Sequence, residues 1–245
     1  MEENKKWHKI VKGSIVFAII ILVLFVIGII MLKYNVEGEQ NMPFNLYDIL
    51  VISSAEGYQE NETNENWSVN VYQTNDIYID IKKNKNYKNK EIIKNIEISN
   101  IQIQNPKLGD IQIFRPSGTK EDYEYKEEYK VNKNLKFEGD TKSDLKNLKI
   151  SNQGGRILFR VLNNTGKIYS SNESEIKHDG TLLNKVGITN EDIQFNIIFD
   201  IKIELESGVT FCGNVKIDLP KENIINQGTT SLHETELKNV IFKRE

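Results

Sequence analysis

A single cysteine, Cys212, stands in a chain of 245 residues, so no intramolecular disulfide can form and a disulfide-stapled secreted scaffold is excluded. Proline is scarce as well, with 4 residues, and hydrophobic and charged residues make up 38% and 27% of the chain, the balance of a folded domain and not of a disordered tail. Histidine is limited to His8, His178 and His233, too few to build a metal cage. His233-Glu234 has no second histidine one turn later, so the zincin pattern is missing, and no paired cysteines offer a zinc knuckle. No serine stands in G-x-S-x-G, no P-loop is present, and Gly154-Gly155 is too short for a dinucleotide loop and reads as a turn. No metal, cofactor or catalytic constellation is therefore expected.

One long apolar run is present. From Gly13 to Leu32 no residue is charged, and at 1.5 Å per residue this stretch reaches roughly 30 Å, the thickness of a bilayer's hydrocarbon core. It has no polar face at helical spacing, so lipid is its expected solvent. Lys5, Lys6, Lys9 and Lys12 precede the run, whereas Lys33 alone follows it before Lys82, which predicts a cytoplasmic N-terminus. Trp7 and Tyr34 suit the two interfacial regions. The run exceeds a secretory signal's apolar core, and Val36-Glu37-Gly38 is its only tolerable cleavage site, so an uncleaved signal anchor is expected. No cysteine follows to accept a lipid, and the glutamate of pilins is missing.

Downstream the apolar period becomes two, the mark of half-buried antiparallel strands. Ile193, Phe195, Ile197, Phe199, Ile201, Ile203 and Leu205 alternate with mostly polar residues; after Ser207-Gly208 the pattern resumes at Val209, Phe211, Val215, Ile217 and Leu219, predicting a hairpin that Pro220 ends. A second hairpin is expected from Trp67, Val69 and Val71 through a turn at Thr74-Asn75 to Ile77, Ile79 and Ile81. The apolar parity shifts between Ser99 and Asn100, as a bulge or a strand break requires. Further strands are expected at 49–53, 111–114, 123–131, 157–161 and 240–243, with short helical turns at 181–186 and 143–146 and a turn at 189–192. The expected fold is an all-β antiparallel sandwich, Ig-like or similar, preceded by one transmembrane helix. The expected parts are a cytoplasmic tail (1–12), the transmembrane signal anchor (13–33), a linker (34–45) and an extracytoplasmic β-rich domain (46–245). The tail is too short to be a signalling domain.

Beyond residue 33 the chain carries 27 cations against 33 anions, a net charge of about −6, which argues against nucleic acid and anionic lipid as ligands of the domain. Residues 60–65 and the five lysines of 82–90 read as solvent loops. Carboxylate pairs such as Asp200 with Glu204 share a strand face and suit glycosidase chemistry in principle, although acids alternate on any wet strand face. Cys212 has outward parity and reads as an incidental thiol. Tyr123, Tyr125 and Tyr129 suit a sugar or peptide groove, or one face of an edge strand. Sequons at Asn61, Asn66, Asn163 and Asn172 are what chance supplies in a chain with 29 asparagines.

The basic start, the single span, Tyr34-Asn35-Val36-Glu37-Gly38-Glu39-Gln40-Asn41-Met42-Pro43-Phe44 and Val51-Ile52-Ser53-Ser54-Ala55-Glu56-Gly57 together resemble a group of uncharacterised single-pass membrane proteins of clostridia. The resemblance implies a Gram-positive cell membrane and transfers no catalytic residue. The functions that follow are a membrane-anchored binding or scaffolding module with a protein or cell-surface partner, a wall-acting enzyme using a carboxylate pair, or the sensor arm of a membrane complex.

Overall fold

The computed structural model of the chain describes residues 2–38, 41–59, 67–118, 122–171, 181–220, 222–227, 229–233, 237 and 240–245, and gives the backbone alone for 2–6, 8–10, 33–37, 67 and 232–233. Asn61, Asn66, Asn172, His178, Glu234 and the loop 60–65 lie outside the described residues, as do the side chains of His8, Lys33, Tyr34 and His233. The chain divides into two units, Met1–Gln40 and Asn41–Glu245.

The first unit is one helix, α1 (Glu2–Glu37). Its stretch Val11–Leu32 is long and apolar enough to cross a membrane, and its Ile, Leu, Val and Phe side chains stand exposed. A helix apolar on every side has no wet face to offer water. The helix outruns the apolar stretch at both ends, extending over most of the expected tail and into the expected linker. Gly38, at φ 70, then takes the left-handed conformation that ends helices without a Cβ penalty.

The second unit is the expected sandwich. One sheet has the order β10-β1-β2-β7-β4, built from Thr229–His233, Phe44–Tyr58, Trp67–Lys83, Gly154–Ser171 and Asp110–Phe114. The other has the order β11-β9-β8-β3-β5-β6, built from Phe242–Arg244, Thr210–Leu219, Phe195–Leu205, Ile93–Gln104, Leu135–Asp140 and Lys149–Ser151. Every pairing is antiparallel except β5 with β6. The main core lies between the sheets, where Ile49, Val51, Ile77, Ile79, Ile157 and Phe159 of the first meet Ile96, Ile98, Phe137, Phe199, Ile201 and Ile203 of the second. A smaller apolar cluster at one end gathers Val69, Val71, Leu182, Leu183, Ile188, Ile193, Ile224 and Ile225 around the short helix α2 (Leu182–Lys185).

The β8–β9 hairpin forms in the expected register, with Phe195 opposite Leu219 and Ile203 opposite Phe211. The expected bulge also appears, as a register shift between Ser99 and Gln102, with Asn100 at φ 52. The second hairpin does not form. Residues 67–83 are one strand, and Thr74 and Asn75 sit in its middle, buried. Asn75 accepts a hydrogen bond from Ser53 Oγ at 2.7 Å and donates to the Val161 carbonyl at 3.4 Å, so neighbouring strands satisfy the polar groups that suggested a turn. Residues 123–131 are also no regular strand; they form an irregular segment with one 3-10 turn at Glu127–Tyr129. Residues 143–146 hold a β-bridge from Asp144 to Lys149 and the start of a turn in place of a helical turn, and Gly154-Gly155 opens β7 instead of forming the turn before it.

Gly213 marks a close approach. A Cβ there would lie 3.0 Å from three ring atoms of Phe242, which is buried against the main core. Gly213→Val should push the Phe242 ring aside and loosen β11, lowering stability by about 1–3 kcal/mol. Urea unfolding checks the loss, and trimming of the C-terminus by carboxypeptidase checks its location.

Candidate functional site

The densest polar arrangement among the described residues lies on the outer face of the first sheet. Even-numbered residues of β2 and β7 point outward, so Asp76 stands opposite Arg160 and Asp80 opposite Arg156. Both pairs are bidentate: Arg160 Nε and Nη2 reach Asp76 at 2.6 and 2.8 Å, and Arg156 Nε and Nη2 reach Asp80 at 2.8 Å each. The Asp80 pair is half-exposed, whereas the side chains of Arg160 and Asp76 are each only 13% exposed.

What covers the inner pair is the segment 122–131. Its Tyr123, Tyr125 and Tyr129 pack on Tyr72, Phe114 and Leu162. Backbone hydrogen bonds from Arg115 to Tyr129 and from Val131 to Ile113 hold the segment beside β4. The tyrosines named as groove candidates thus form a lid over the sheet. The Tyr123 ring lies 4.4 Å from the Arg160 guanidinium carbon, a cation–π contact in a partly dried setting. Arg160 Nη1 donates to Tyr125 Oη at 2.6 Å and to Glu56 Oε2 at 3.3 Å, and Tyr125 Oη donates to the same Glu56 oxygen at 3.0 Å. Thr74 Oγ1 donates to Glu56 Oε1 at 3.2 Å. One guanidinium so ties β1, β2, β7 and the lid together.

Burial opposes the charge on Arg160, but the hydrogen bonds to Asp76 and the charges of Asp76 and Glu56 outweigh it, and the guanidinium's pKa is raised. Burial also raises the pKa of Tyr125, against the pull of Arg160 and with the help of Glu56, so the phenol keeps its proton and its role as donor. Arg160, Asp76, Glu56 and Tyr125 each already hold a partner. Its chemistry is that of a lock between strands, with no free base, acid or nucleophile at its centre.

The carboxylate pair is not brought together. Asp200 and Glu204 are four residues apart on β8, about 13 Å along an extended strand, beyond the separation glycosidases use. Asp200 accepts from Asn100 and Asn214 at 2.7 Å each. Glu204 accepts from Lys94 and Asn95 at 2.6 Å each, and those hydrogen bonds lower its pKa and raise that of Lys94. Among the described residues no three His, Cys, Asp or Glu side chains are grouped to hold a metal ion. Asn163 is fully buried on β7, where its amide donates to Gln73, so that sequon is closed to a glycosyltransferase.

Cys212 pairs with Lys202 without a bulge and is half-buried. Burial, assisted by Glu245 and Asp200, pushes its thiol up to about 11. A raised pKa leaves little thiolate at pH 7.5, so a maleimide should label Cys212 at least tenfold more slowly in the folded chain than in urea. Equal rates would place the thiol in free solvent.

Comparison with family models, with curated proteins and with solved structures gives no match. The fold and its polar lock define the class: an all-β sandwich preceded by one apolar N-terminal helix.

Proposed function

We propose that this chain is a single-pass membrane protein of a Gram-positive cell, whose helix anchors an extracytoplasmic sandwich that binds or scaffolds a partner at the cell surface. The observation that carries the reading is the combination of a fully exposed apolar helix with a domain in which the carboxylates of Glu56, Asp76, Asp80, Asp200 and Glu204 are all held by neighbouring side chains. Such a surface suits recognition better than acid–base chemistry. The four lysines before the apolar run support an inside N-terminus, and the resemblance to clostridial single-pass proteins points to the same membrane.

Cross-linking in intact cells, followed by detergent capture of the full-length chain, tests the reading. A near-stoichiometric membrane or secreted protein on the captured chain is the expected result. Wall polymer recovered without any protein would overturn the scaffold and favour a wall-acting enzyme.

A further inference from the structure

The domain's net negative charge is not evenly spread. Residues 82–90, Lys-Lys-Asn-Lys-Asn-Tyr-Lys-Asn-Lys, hold five lysines and no acid. All five are exposed, and none has a carboxylate partner among the described residues. Elsewhere Lys94, Lys126, Lys130, Lys136, Lys149 and Lys202 each pair with an acid. Lys82 instead lies over the Tyr47 ring at 3.0 Å, and Lys83 donates to the Gln153 amide oxygen at 2.9 Å. A depression of about 460 Å3 opens at these two lysines, lined also by Asp80, Ile81, Gln153, Gly154, Gly155 and Arg156.

The loop is built, and it is built at the point where the chain enters the domain. Asn84 N donates to the Pro43 carbonyl and Asn84 Nδ2 to the Met42 carbonyl, both at 2.8 Å. Its side-chain oxygen accepts from Asn86 N at 3.0 Å, and its carbonyl accepts from Tyr87 N at 3.2 Å, closing a turn. Met42 follows Glu37, the last residue of α1, by five residues, and five extended residues span at most about 18 Å. Asn84 therefore fastens a lysine cluster without acid partners to Met42 and Pro43, the first residues of the domain.

We infer that the 82–90 loop docks on the anionic phosphate headgroups of the membrane that holds α1, an inference that rests on the membrane-anchor reading. Lysines near an anionic leaflet are attracted within a Debye length of its surface, and the five here would act together. The depression offers a headgroup phosphate the ammonium groups of Lys82 and Lys83, while its one carboxylate, Asp80, is already held by Arg156. The overall charge of the domain, which argued against anionic lipid, is the wrong measure for one loop of five lysines and no acid.

The test uses the full-length chain in nanodiscs of pure phosphatidylcholine or of phosphatidylcholine with 30% phosphatidylglycerol, modified briefly with an amine-reactive ester and read by mass spectrometry. Modification of Lys85, Lys88 and Lys90 should fall at least threefold with phosphatidylglycerol and recover in 0.5 M salt, while Lys216 on the second sheet stays constant. Equal modification in both discs overturns the inference and leaves the anchor standing. Protection by 10 mM inorganic phosphate in phosphatidylcholine discs, without an effect of phosphatidylglycerol, overturns it in favour of a soluble phosphate ligand. Flotation with phosphatidylcholine vesicles reads the anchor separately, and a chain that floats with neither lipid overturns both readings.

Discussion

Replacing Arg160 with leucine should lower the stability of the sandwich by about 3 kcal/mol, the low end of the cost of stranding one member of a buried ion pair. The substitution leaves Asp76 charged beneath the tyrosine lid, removes the donor to Glu56 and Tyr125, and takes away the cation under Tyr123. Urea unfolding of the detergent-solubilised chain measures the loss as a fall in midpoint. The double variant Arg160→Leu/Asp76→Leu separates two explanations. If the cost comes from the orphaned carboxylate, the double variant recovers part of the loss; if it comes from packing of the guanidinium alone, the losses add.

The second large effect belongs to the core. Phe159 of the first sheet and Phe199 of the second meet edge to face, with centroids 5.4 Å apart and planes at 89°, and both are fully buried. Phe159→Ala should cost about 3–5 kcal/mol, from lost transfer energy and from a cavity that two hydrogen-bonded sheets cannot collapse. A double-mutant cycle with Phe199→Ala should show coupling of about 0.5–1.5 kcal/mol, the share carried by the ring geometry. A cost near zero would mean that the sheets pack loosely at their centre.

Much of the sandwich was legible because its strands keep strict parity. Ile193 to Leu219 announces a hairpin by alternation alone, and the parity slip at Ser99-Asn100 announces a bulge. The error at Thr74-Asn75 came from reading polarity ahead of parity. Val69, Val71, Ile77, Ile79 and Ile81 are all odd, so one continuous strand with Gln73 and Asn75 facing inward was already consistent with the pattern. A buried polar seam, in which Asn75 bonds to Ser53 and the Val161 carbonyl and Gln73 accepts from Asn163, looks like a turn when its partners are unseen.

The lock around Arg160 was not legible, because its partners lie 35 to 104 residues from Arg160 in the chain and meet it only through the fold. One signal was present. Arginine is used four times in the chain, at 115, 156, 160 and 244, and two of these stand four apart on β7 across from Asp80 and Asp76. In a chain that otherwise chooses lysine, arginine marks positions that need a planar, bidentate cation. The tyrosines 123, 125 and 129 were recognised as a group, but their alternation suggested an edge strand where the chain folds over the sheet as a lid.

The proposed placement of the sandwich outside a membrane, held there by its N-terminal helix, is tested most directly by site-directed labelling. A full-length chain carrying Cys212→Ser and Lys216→Cys places one thiol at an exposed position of β9. In intact cells a membrane-impermeant maleimide should label this thiol without permeabilisation, and the labelled chain should stay with carbonate-washed membranes. Labelling that requires permeabilisation, or a labelled chain that leaves with the soluble fraction, would contradict the account.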